Sequence, residues 1–183
     1  MHILVVGGGM GGTILANNLA RRLSGELEQG SSKITMLSAS DKHMYQPGLL
    51  YVAVGKMSTS ELYRDQKSLL EPSIDFHVDP VEKFDLDNNS VTTKSGKKIS
   101  YDIICIATGS RGNAAGIPGL AENACQFYTE ADALAMYKKL QKFEGGKVVV
   151  ATGVPHKCPM SPLEITFFLI DCFKKRGIWD KVD

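Results

Sequence analysis

The sequence lacks several features that would assign the chain to a class at once. Its longest apolar run falls well short of the roughly 18 residues of a membrane-spanning helix, so no segment is predicted to cross a membrane. It has no Cys-x-x-Cys pair and no paired Cys and His at zinc spacing, so no metal site is predicted. It has almost no excess charge, with a formal net charge of +1, which gives no support for a nucleic-acid binder.

The composition that remains is that of a globular protein. The 183 residues are 43% hydrophobic and 22% charged, which predicts one or two domains. The apolar start at 2–6 is too short for a signal peptide, and no charged region precedes it. Four cysteines stand at positions 105, 125, 158 and 172, and we expect mostly reduced thiols in an intracellular protein.

Residues 2–38 have the pattern of a β-α-β unit. A short apolar strand precedes the run Gly-Gly-Gly-Met-Gly-Gly at 7–12, and a helix with an apolar face follows. The predicted apolar face consists of Ile14, Leu15, Leu19 and Leu23. A polar loop at 25–32 leads to a second strand at 33–38. This length, about 30 residues or a little more, is typical of a nucleotide-binding crossover.

The glycine run contains the spacing Gly7-x-Gly9-x-x-Gly12 directly between strand and helix. The first glycine allows a tight turn, the second lets the backbone approach a pyrophosphate, and the third lets helix and strand pack closely. The alternative is a glycine-rich turn that binds no ligand.

The end of the second strand departs from the usual dinucleotide pattern. An acidic residue normally binds the ribose hydroxyls there, whereas this chain has Ser38. Ser38 can still donate one hydrogen bond, and Lys42 can reach a phosphate. Both can also be ordinary loop residues.

The middle of the chain mixes short elements. Residues 41–56 have no clear period and are predicted to form a structured loop, and Ser58 with Glu61 predicts a capping box that starts a helix reaching Leu70. A strand at 74–78, a hairpin at 81–93 that 97–100 can extend, and a buried strand at 101–107 follow.

The last third predicts a second α/β segment. Thr129 and Asp132 can cap a helix that runs to 143 and is broken by two glycines at 145–146. A strand is predicted at 147–151, and Ser161 and Glu164 predict a capping box at the start of the last helix. We therefore expect two domains, at 1–120 and 121–183.

The junction between this strand and the last helix has unusual chemistry. A nucleotide-binding fold normally places its phosphate-binding glycines there, but residues 154–162 contain His156, Lys157, Cys158 and three prolines, which cannot cradle a pyrophosphate with free amides. The N–H groups and dipole of a helix entrance, with Lys157 and His156 nearby, favour a thiolate at Cys158. The alternative is a loop cysteine of no special reactivity.

Two further motifs carry a family resemblance. A hydrophobic strand that ends in Ala107-Thr108-Gly109, followed by Ile-Pro-Gly at 117–119, resembles the flavoproteins with two dinucleotide-binding domains. The run Pro-His-Lys-Cys-Pro-Met-Ser-Pro-Leu-Glu at 155–164 resembles the sulfide:quinone oxidoreductases and the flavoprotein subunit of flavocytochrome c sulfide dehydrogenase. The resemblance covers the whole chain, but only the N-terminal part of such an enzyme.

The resemblance implies an α/β fold with FAD as the cofactor. It predicts a Rossmann-like FAD-binding domain with a parallel sheet and an inserted antiparallel hairpin, plus the start of a second Rossmann-like domain. The glycine motif would bind the FAD pyrophosphate, with Ala107, Thr108 and Gly109 close by. Val81 would contact adenine through its backbone, and Pro47, in Tyr-Gln-Pro-Gly at 45–48, would lie along the isoalloxazine.

The resemblance also implies the reacting groups. Cys158 would be a redox cysteine that takes sulfide sulfur and passes two electrons to FAD. Glu164 would transfer a proton or merely pair with Ser161, and His156 would activate the thiol or merely be exposed. Cys125 stands three residues before Tyr128, the position where many bacterial members carry a second cysteine, and it is a weaker candidate. Cys105 and Cys172 are interpreted as packing residues.

The implied partners are sulfide and a quinone. Enzymes of this family are about twice as long, and the rest normally supplies a partner for Cys158 and a segment that meets the membrane. We therefore expect a cytoplasmic protein, peripheral at the membrane when full length, and a possible homo-oligomer because the last helix is strongly apolar. The alternatives are an NADH:quinone oxidoreductase of the same fold, a non-catalytic FAD-binding fragment, or an interaction domain.

Overall fold

The structure, a computed structural model, describes residues 1–153, 156 and 158–183. They form two compact units: Met1–Met44 with Tyr63–Arg111, and Tyr45–Leu62 with Gly112–Asp183. The predicted division at 120/121 stays a prediction, because compactness does not show which segments fold independently.

The first unit is built mainly from strands. In chain order its elements are β1 (His2–Val6), α1 (Met10–Arg22), α2 (Ser24–Glu28), β2 (Lys33–Ser38), β3 (Lys42–Met44), β4 (Tyr63–Asp65), a 3₁₀ turn (Lys67–Leu69), β5 (Ile74–Val78), β6 (Val81–Asp85), β7 (Ser90–Thr93), β8 (Lys98–Ser100) and β9 (Ile103–Ile106).

A parallel sheet with the strand order β5-β2-β1-β9 forms the centre of this unit. Ile3 on β1 stands in register with Ile34 on β2 and Ile103 on β9. Both faces of the central strands are buried, which explains their continuous apolar runs. The predicted strand at 101–107 exists, but it is not fully buried: Ile106 is 56% exposed because β9 lies at the sheet edge.

Helix α1 packs on the sheet through small side chains. Ala16 and Ala20 are buried against β1 and β2, and Leu19 and Leu23 pack at the margin of that cluster. Ile14, predicted to face the core, is 55% exposed, so that part of the prediction was wrong. Leu15 is also exposed. The face of α1 that is fully buried consists of Gly12, Thr13, Ala16 and Ala20 instead.

The predicted hairpin is confirmed as a three-stranded antiparallel sheet, β6-β7-β8. Asn89 in its turn has a φ of 46°, a conformation that asparagine tolerates better than most residues. Val91 and Ile99 of this sheet pack with Leu4 and Leu37 of the parallel sheet.

Three segments differ from the sequence-based expectation. The predicted loop at 25–32 overlaps α2, and the predicted loop at 41–56 contains β3 and α3 (Gly48–Ala53). The capping box is confirmed, with the Ser58 N–H donating to Glu61 Oε2 at 2.8 Å. It starts only a 3₁₀ turn, Thr59–Leu62, because the chain then enters β4 and pairs with β3. The helix predicted to reach Leu70 was therefore wrong.

The second unit is mainly helical. After α3 come a 3₁₀ turn (Ala114–Gly116), α4 (Leu120–Asn123), α5 (Glu130–Lys142), α6 (Ser161–Lys175) and a 3₁₀ turn (Trp179–Lys181). The predicted cap of α5 is confirmed, since Thr129 Oγ1 accepts the Asp132 N–H at 3.1 Å. Arg176 donates to the carbonyl oxygen of Phe143 at 2.6 Å and so ties α6 to the end of α5.

The strand predicted at 147–151 does not form within the described residues. Gly146 makes a single parallel bridge to Val182, after α6, and Val149 is 75% exposed. The glycine break itself is confirmed, with φ values of 148° and 118° at Gly145 and Gly146. Parallel pairing of two segments that a helix connects is the arrangement found in a β-α-β unit.

Candidate functional site

The turn from β1 into α1 accepts only glycine at two positions. Gly7 has a φ of 119°, and a Cβ there would collide with the carbonyl oxygen of Ala107. A Cβ on Gly12 would collide with the carbonyl oxygen of Gly7. The turn is therefore closed by direct backbone contact, in the way the motif predicts.

Gly9, between these two, faces open space. It is the N-cap of the 13-residue helix α1, and no described atom lies within 4 Å of where its Cβ would stand. No described side chain caps this helix, so its first amide groups have no protein acceptor from a side chain. Free N–H groups at a helix N-terminus suit an anion such as a pyrophosphate, so the residues present fit FAD at this point.

The Ala-Thr-Gly segment borders the same turn. The Ala107 N–H donates to the Val6 carbonyl at 2.7 Å and places Ala107 against Gly7 and Gly12. Thr108 and Gly109 follow as exposed residues, and Gly109 has a φ of 74°. The structure thus brings the two motifs together at the carboxyl ends of β1 and β9.

Ser38 also lies at the glycine turn. It is buried at the end of β2, and a Cβ on Gly8 would collide with its hydroxyl. Its Oγ accepts the Ser40 N–H at 3.2 Å. Lys42 is exposed at the start of β3, and its N–H donates to Ser40 Oγ at 3.0 Å. The ribose role of Ser38 and the phosphate role of Lys42 stay predictions.

Val81 opens the antiparallel sheet and pairs with Thr93. Just before it, Asp79 accepts the Ser95 hydroxyl at 2.6 Å, and this bond, with one from Thr93, holds the pKa of the Asp79 carboxyl below its ordinary value. A cavity of about 290 Å³ is lined by Leu37 and Asp79, among others, next to the carboxyl ends of β2 and β5. The adenine contact at Val81 stays a prediction.

Cys158 is a half-buried free thiol three residues ahead of α6. That helix has 15 residues, Met160 is its N-cap, and no described side chain caps it. Ser161 is the first helical residue and is buried, so the predicted capping box of Ser161 and Glu164 was wrong by one position. Glu164 is exposed in the first turn, where its N–H donates to the Met160 carbonyl at 3.0 Å.

The other predicted residues are not brought together by described contacts. His156 is exposed, while Lys157, with Val154 and Pro155, lies outside the described residues. Cys125 is exposed beyond α4, and Pro47 is the N-cap of α3. The roles assigned to these residues stay predictions.

Sequence reasoning missed a buried polar cluster beneath the glycine turn. Gln66 is 0% exposed, and its side chain bonds to both Thr13 and His43. These residues are far apart in the sequence and form no motif. Only the close packing of β3, β4 and α1 around Gly8 reveals them.

Residues 1–153 match the model of a family described as pyridine nucleotide-disulphide oxidoreductase. The chain belongs to this family. It is 36% identical to the sulfide-quinone reductase of Aquifex aeolicus over 99% of this chain and 41% of that protein. It is 30% identical to the mitochondrial sulfide:quinone oxidoreductase of Mus musculus over 96% of this chain and 39% of that one.

A solved structure agrees with these relatives. The sulfide:quinone oxidoreductase of Aquifex aeolicus superposes with a TM-score of 0.79 and 31% identity, covering 99% of this chain and 41% of that one. The chain thus spans about two fifths of the length of the relatives it matches.

These matches confirm the predicted resemblance, the α/β flavoprotein fold and FAD as the cofactor. The FAD-dependent oxidoreductase activity belongs to the full-length relatives, and for this chain it stays a prediction. In the part of the chain that the structure describes, no helix is long and apolar enough to cross a membrane. Within the same residues, no cluster of three or more His, Cys, Asp or Glu side chains could hold a metal ion.

Proposed function

We propose that this chain is the N-terminal portion of a sulfide:quinone oxidoreductase. The observation that carries the proposal is the chemistry of the segment that leads into α6. Where a dinucleotide site would need glycines, a half-buried Cys158 precedes the side-chain-uncapped start of α6. The similarity to named sulfide:quinone oxidoreductases across 99% of the chain supports the same conclusion.

The turn from β1 into α1 would hold the cofactor. The pyrophosphate of FAD would lie over Gly9 and the first amides of α1, in a turn shaped by Gly7, Gly12 and Ala107. The further contacts that we propose involve Ser38 and Lys42 at the ribose and its phosphate, Thr108 and Gly109 beside them, Val81 at adenine and Pro47 along the isoalloxazine.

The segment that leads into α6 would react with sulfide. A thiolate at Cys158 is favoured by the helix entrance and would carry the sulfur atom as a persulfide. FAD, when bound, would accept two electrons from sulfur and deliver them to the quinone. The overall reaction balances as HS⁻ + H⁺ + quinone → S⁰ + quinol, with the sulfur atoms accumulating as polysulfide or sulfur. Glu164 would hold or move the proton, and His156 would support the thiolate.

The test is Cys158→Ser in the FAD-loaded protein, with sulfide-dependent loss of flavin absorbance as the measurement. We expect reduction by sulfide to be abolished, because serine cannot form a persulfide. Cys172→Ser is the matched control, since Cys172 is also half-buried but lies inside α6. In this variant sulfide should reduce the flavin at the rate of the unaltered protein. Reduction by sulfide that persisted at that rate in Cys158→Ser would contradict the role of Cys158.

The remaining candidates can be ranked by the same assay. Glu164→Gln should slow flavin reduction without changing the FAD content, because the exposed carboxylate is not needed for the fold. Cys125→Ser should have a smaller effect than Cys158→Ser. Rapid bleaching by NADH instead of sulfide would favour the NADH:quinone oxidoreductase, and a flavin reduced by neither would favour a non-catalytic fragment.

The full-length protein would be cytoplasmic and would contact the membrane at its surface. This chain would associate with itself. Phe167 on α6 is 69% exposed, with Met160 and Leu163 exposed on neighbouring turns. Light scattering at high concentration should therefore show species larger than a monomer, and Phe167→Glu should reduce them. A clean monomer for the unaltered chain would contradict self-association.

A further inference from the structure

The carbonyl oxygen of Gly8, in the middle of the glycine turn, accepts two side-chain hydrogen bonds. Thr13 Oγ1, on α1, lies 3.3 Å from it, and His43 Nδ1, on β3, lies 3.1 Å from it. A backbone carbonyl in a ligand-binding turn thus has both acceptor positions filled from within the first unit.

The donors on this carbonyl are themselves held by Gln66. Its Nε2 donates to Thr13 Oγ1 at 2.9 Å, and its Oε1 lies 3.0 Å from His43 Nδ1. The Gln66 N–H donates to the Asp41 carbonyl at 2.7 Å, which fixes the residue from its backbone side. Because Gln66 is fully buried, both polar ends of its side chain need partners, and both have them.

This geometry assigns the ring proton of His43. The Gly8 carbonyl and Gln66 Oε1 can only accept hydrogen bonds, so Nδ1, which faces both, must be the donor. His43 is therefore the Nδ1–H tautomer when neutral. Thr13 Oγ1 accepts a hydrogen bond from the Gln66 amide, and its hydroxyl donates one to the Gly8 carbonyl, so each of these donors has an acceptor.

A trans peptide connects this cluster to the ligand side. In a planar trans peptide the C=O of Gly8 and the N–H of Gly9 point in opposite directions. Because the carbonyl points into the cluster, the Gly9 N–H points away from it. A Cβ on Gly9 would also meet no described atom within 4 Å.

We propose that Thr13, His43 and Gln66 form a brace, the Gly8 brace, that sets the Gly8–Gly9 peptide so that the Gly9 N–H is aimed at the FAD pyrophosphate. These three are positioning residues, since they act through the backbone. The inference rests on the proposed placement of the pyrophosphate over Gly9.

The first test measures FAD affinity of the purified chain by quenching of flavin fluorescence. Gln66→Leu keeps the size of the side chain but removes both polar ends, and we expect at least about tenfold weaker binding, which corresponds to one or two hydrogen bonds. Thr13→Val should weaken binding in the same way, whereas Thr13→Ser, which keeps the hydroxyl, should restore it.

Asn17→Leu is the matched control on the same helix. Asn17 also bonds across to another segment, donating to the Leu69 carbonyl at 2.7 Å and accepting the Glu71 N–H at 2.9 Å, but it does not touch the glycine turn. It should lower the melting temperature and leave FAD affinity unchanged. Equal affinity in Gln66→Leu and the unaltered chain, or an equal loss in Asn17→Leu, would overturn the brace.

The second test needs no cofactor. Long-range ¹H–¹⁵N spectra of the apoprotein, at a pH where His43 is neutral, should show the Nδ1–H tautomer, and Gln66→Leu should shift the Gly9 amide signal. The Nε2–H tautomer would overturn the brace even if FAD binds. A chain that bound no FAD but showed the Nδ1–H tautomer would contradict the proposed cofactor placement and support the brace geometry.

Discussion

Two segments of this chain, the first and the second junction, each lead into a helix, and they differ in what they place at the helix start. Residues 6–13 lead into α1 and residues 153–161 lead into α6, and no described side chain caps either helix. At the first junction the backbone closes on itself at Gly7 and Gly12. At the second, no described atom lies within 4 Å of a Cβ built on Gly153, and Cys158 stands close to the helix start.

The residues before each helix determine which group can supply negative charge at its N-terminus. A helix entrance favours negative charge whatever precedes it. A turn of glycines leaves that entrance to the oxygens of a ligand, whereas a turn with a cysteine supplies the negative charge as a thiolate. We propose that one chain uses the same helix property at the first junction for a bound phosphate and at the second for a nucleophile.

The largest effect on stability should come from adding a methyl group at the first junction, with the same change at the second junction as the comparison. Gly12→Ala forces a Cβ into the Gly7 carbonyl, and overpacking of this kind costs about 1 to 3 kcal/mol of unfolding free energy. Gly153→Ala should change it by no more than about 0.5 kcal/mol. Urea denaturation measures both, and similar losses would show that the junctions do not differ in packing.

Gly9→Ala separates ligand binding from folding at the first junction. The φ of −76° and ψ of −176° at Gly9 are allowed for alanine, and the added methyl meets no described atom, so stability should be kept. FAD affinity should fall by about tenfold or more, because the methyl enters the space proposed for the pyrophosphate. Gly25→Ala, also in open space, is the control and should bind FAD normally.

Helix α5 provides the contrast of a helix capped by a side chain. Thr129→Ala removes the bond to the Asp132 N–H and should cost about 1 kcal/mol of stability. Thr129→Ser should recover most of it. If thermal denaturation showed no difference between the two variants, the cap would contribute nothing and α5 would resemble the junction helices.

The smallest effect should be electrostatic. Hydrogen bonds from Lys56 and Lys175 hold the pKa of Asp171 on α6 below its ordinary value. A lowered folded-state pKa stabilises the protein above the unfolded pKa of about 4 and loses that stabilisation as the pH falls through the folded value. Asp171→Asn should therefore lower the melting temperature at pH 7, and the difference should disappear at low pH and shrink with salt.

Asp75 offers the same test in the first unit. Burial acts to raise its pKa, but hydrogen bonds from Lys33 and His77 outweigh this and lower it. Asp75→Asn should therefore also destabilise at neutral pH and not in acid. A pH-independent loss in either variant would indicate lost packing rather than lost charge.

Elements with a periodic or capping pattern in the sequence were mostly predicted correctly. The strands at 2–6, 33–38 and 74–78, the hairpin and the capped helix α5 each carry a periodic or capping signal, and all were confirmed. The glycine motif and Ala107 were expected near one cofactor and do lie together, because parallel strands bring their carboxyl ends to one edge.

What failed depended on tertiary packing. Ile14 was placed on the apolar face of α1 because its spacing is helical, but the buried face is the one that carries Gly12, Thr13, Ala16 and Ala20. The strand at 147–151 was expected from its valines, yet among the described residues the pairing of this segment is limited to Gly146 and Val148, which bond to 181–183, and this is too short to make a strand. His43 and Gln66 could not be found, since nothing in their local sequence points to Gly8.

The hydrogen bonds on the Gly8 carbonyl also bear on how fast the cofactor associates. These bonds come from the protein itself, so the proposed brace predicts that the turn is set before FAD arrives and that no slow rearrangement has to precede binding. The observed association rate should then rise in proportion to FAD concentration, without the plateau that a prior conformational step produces.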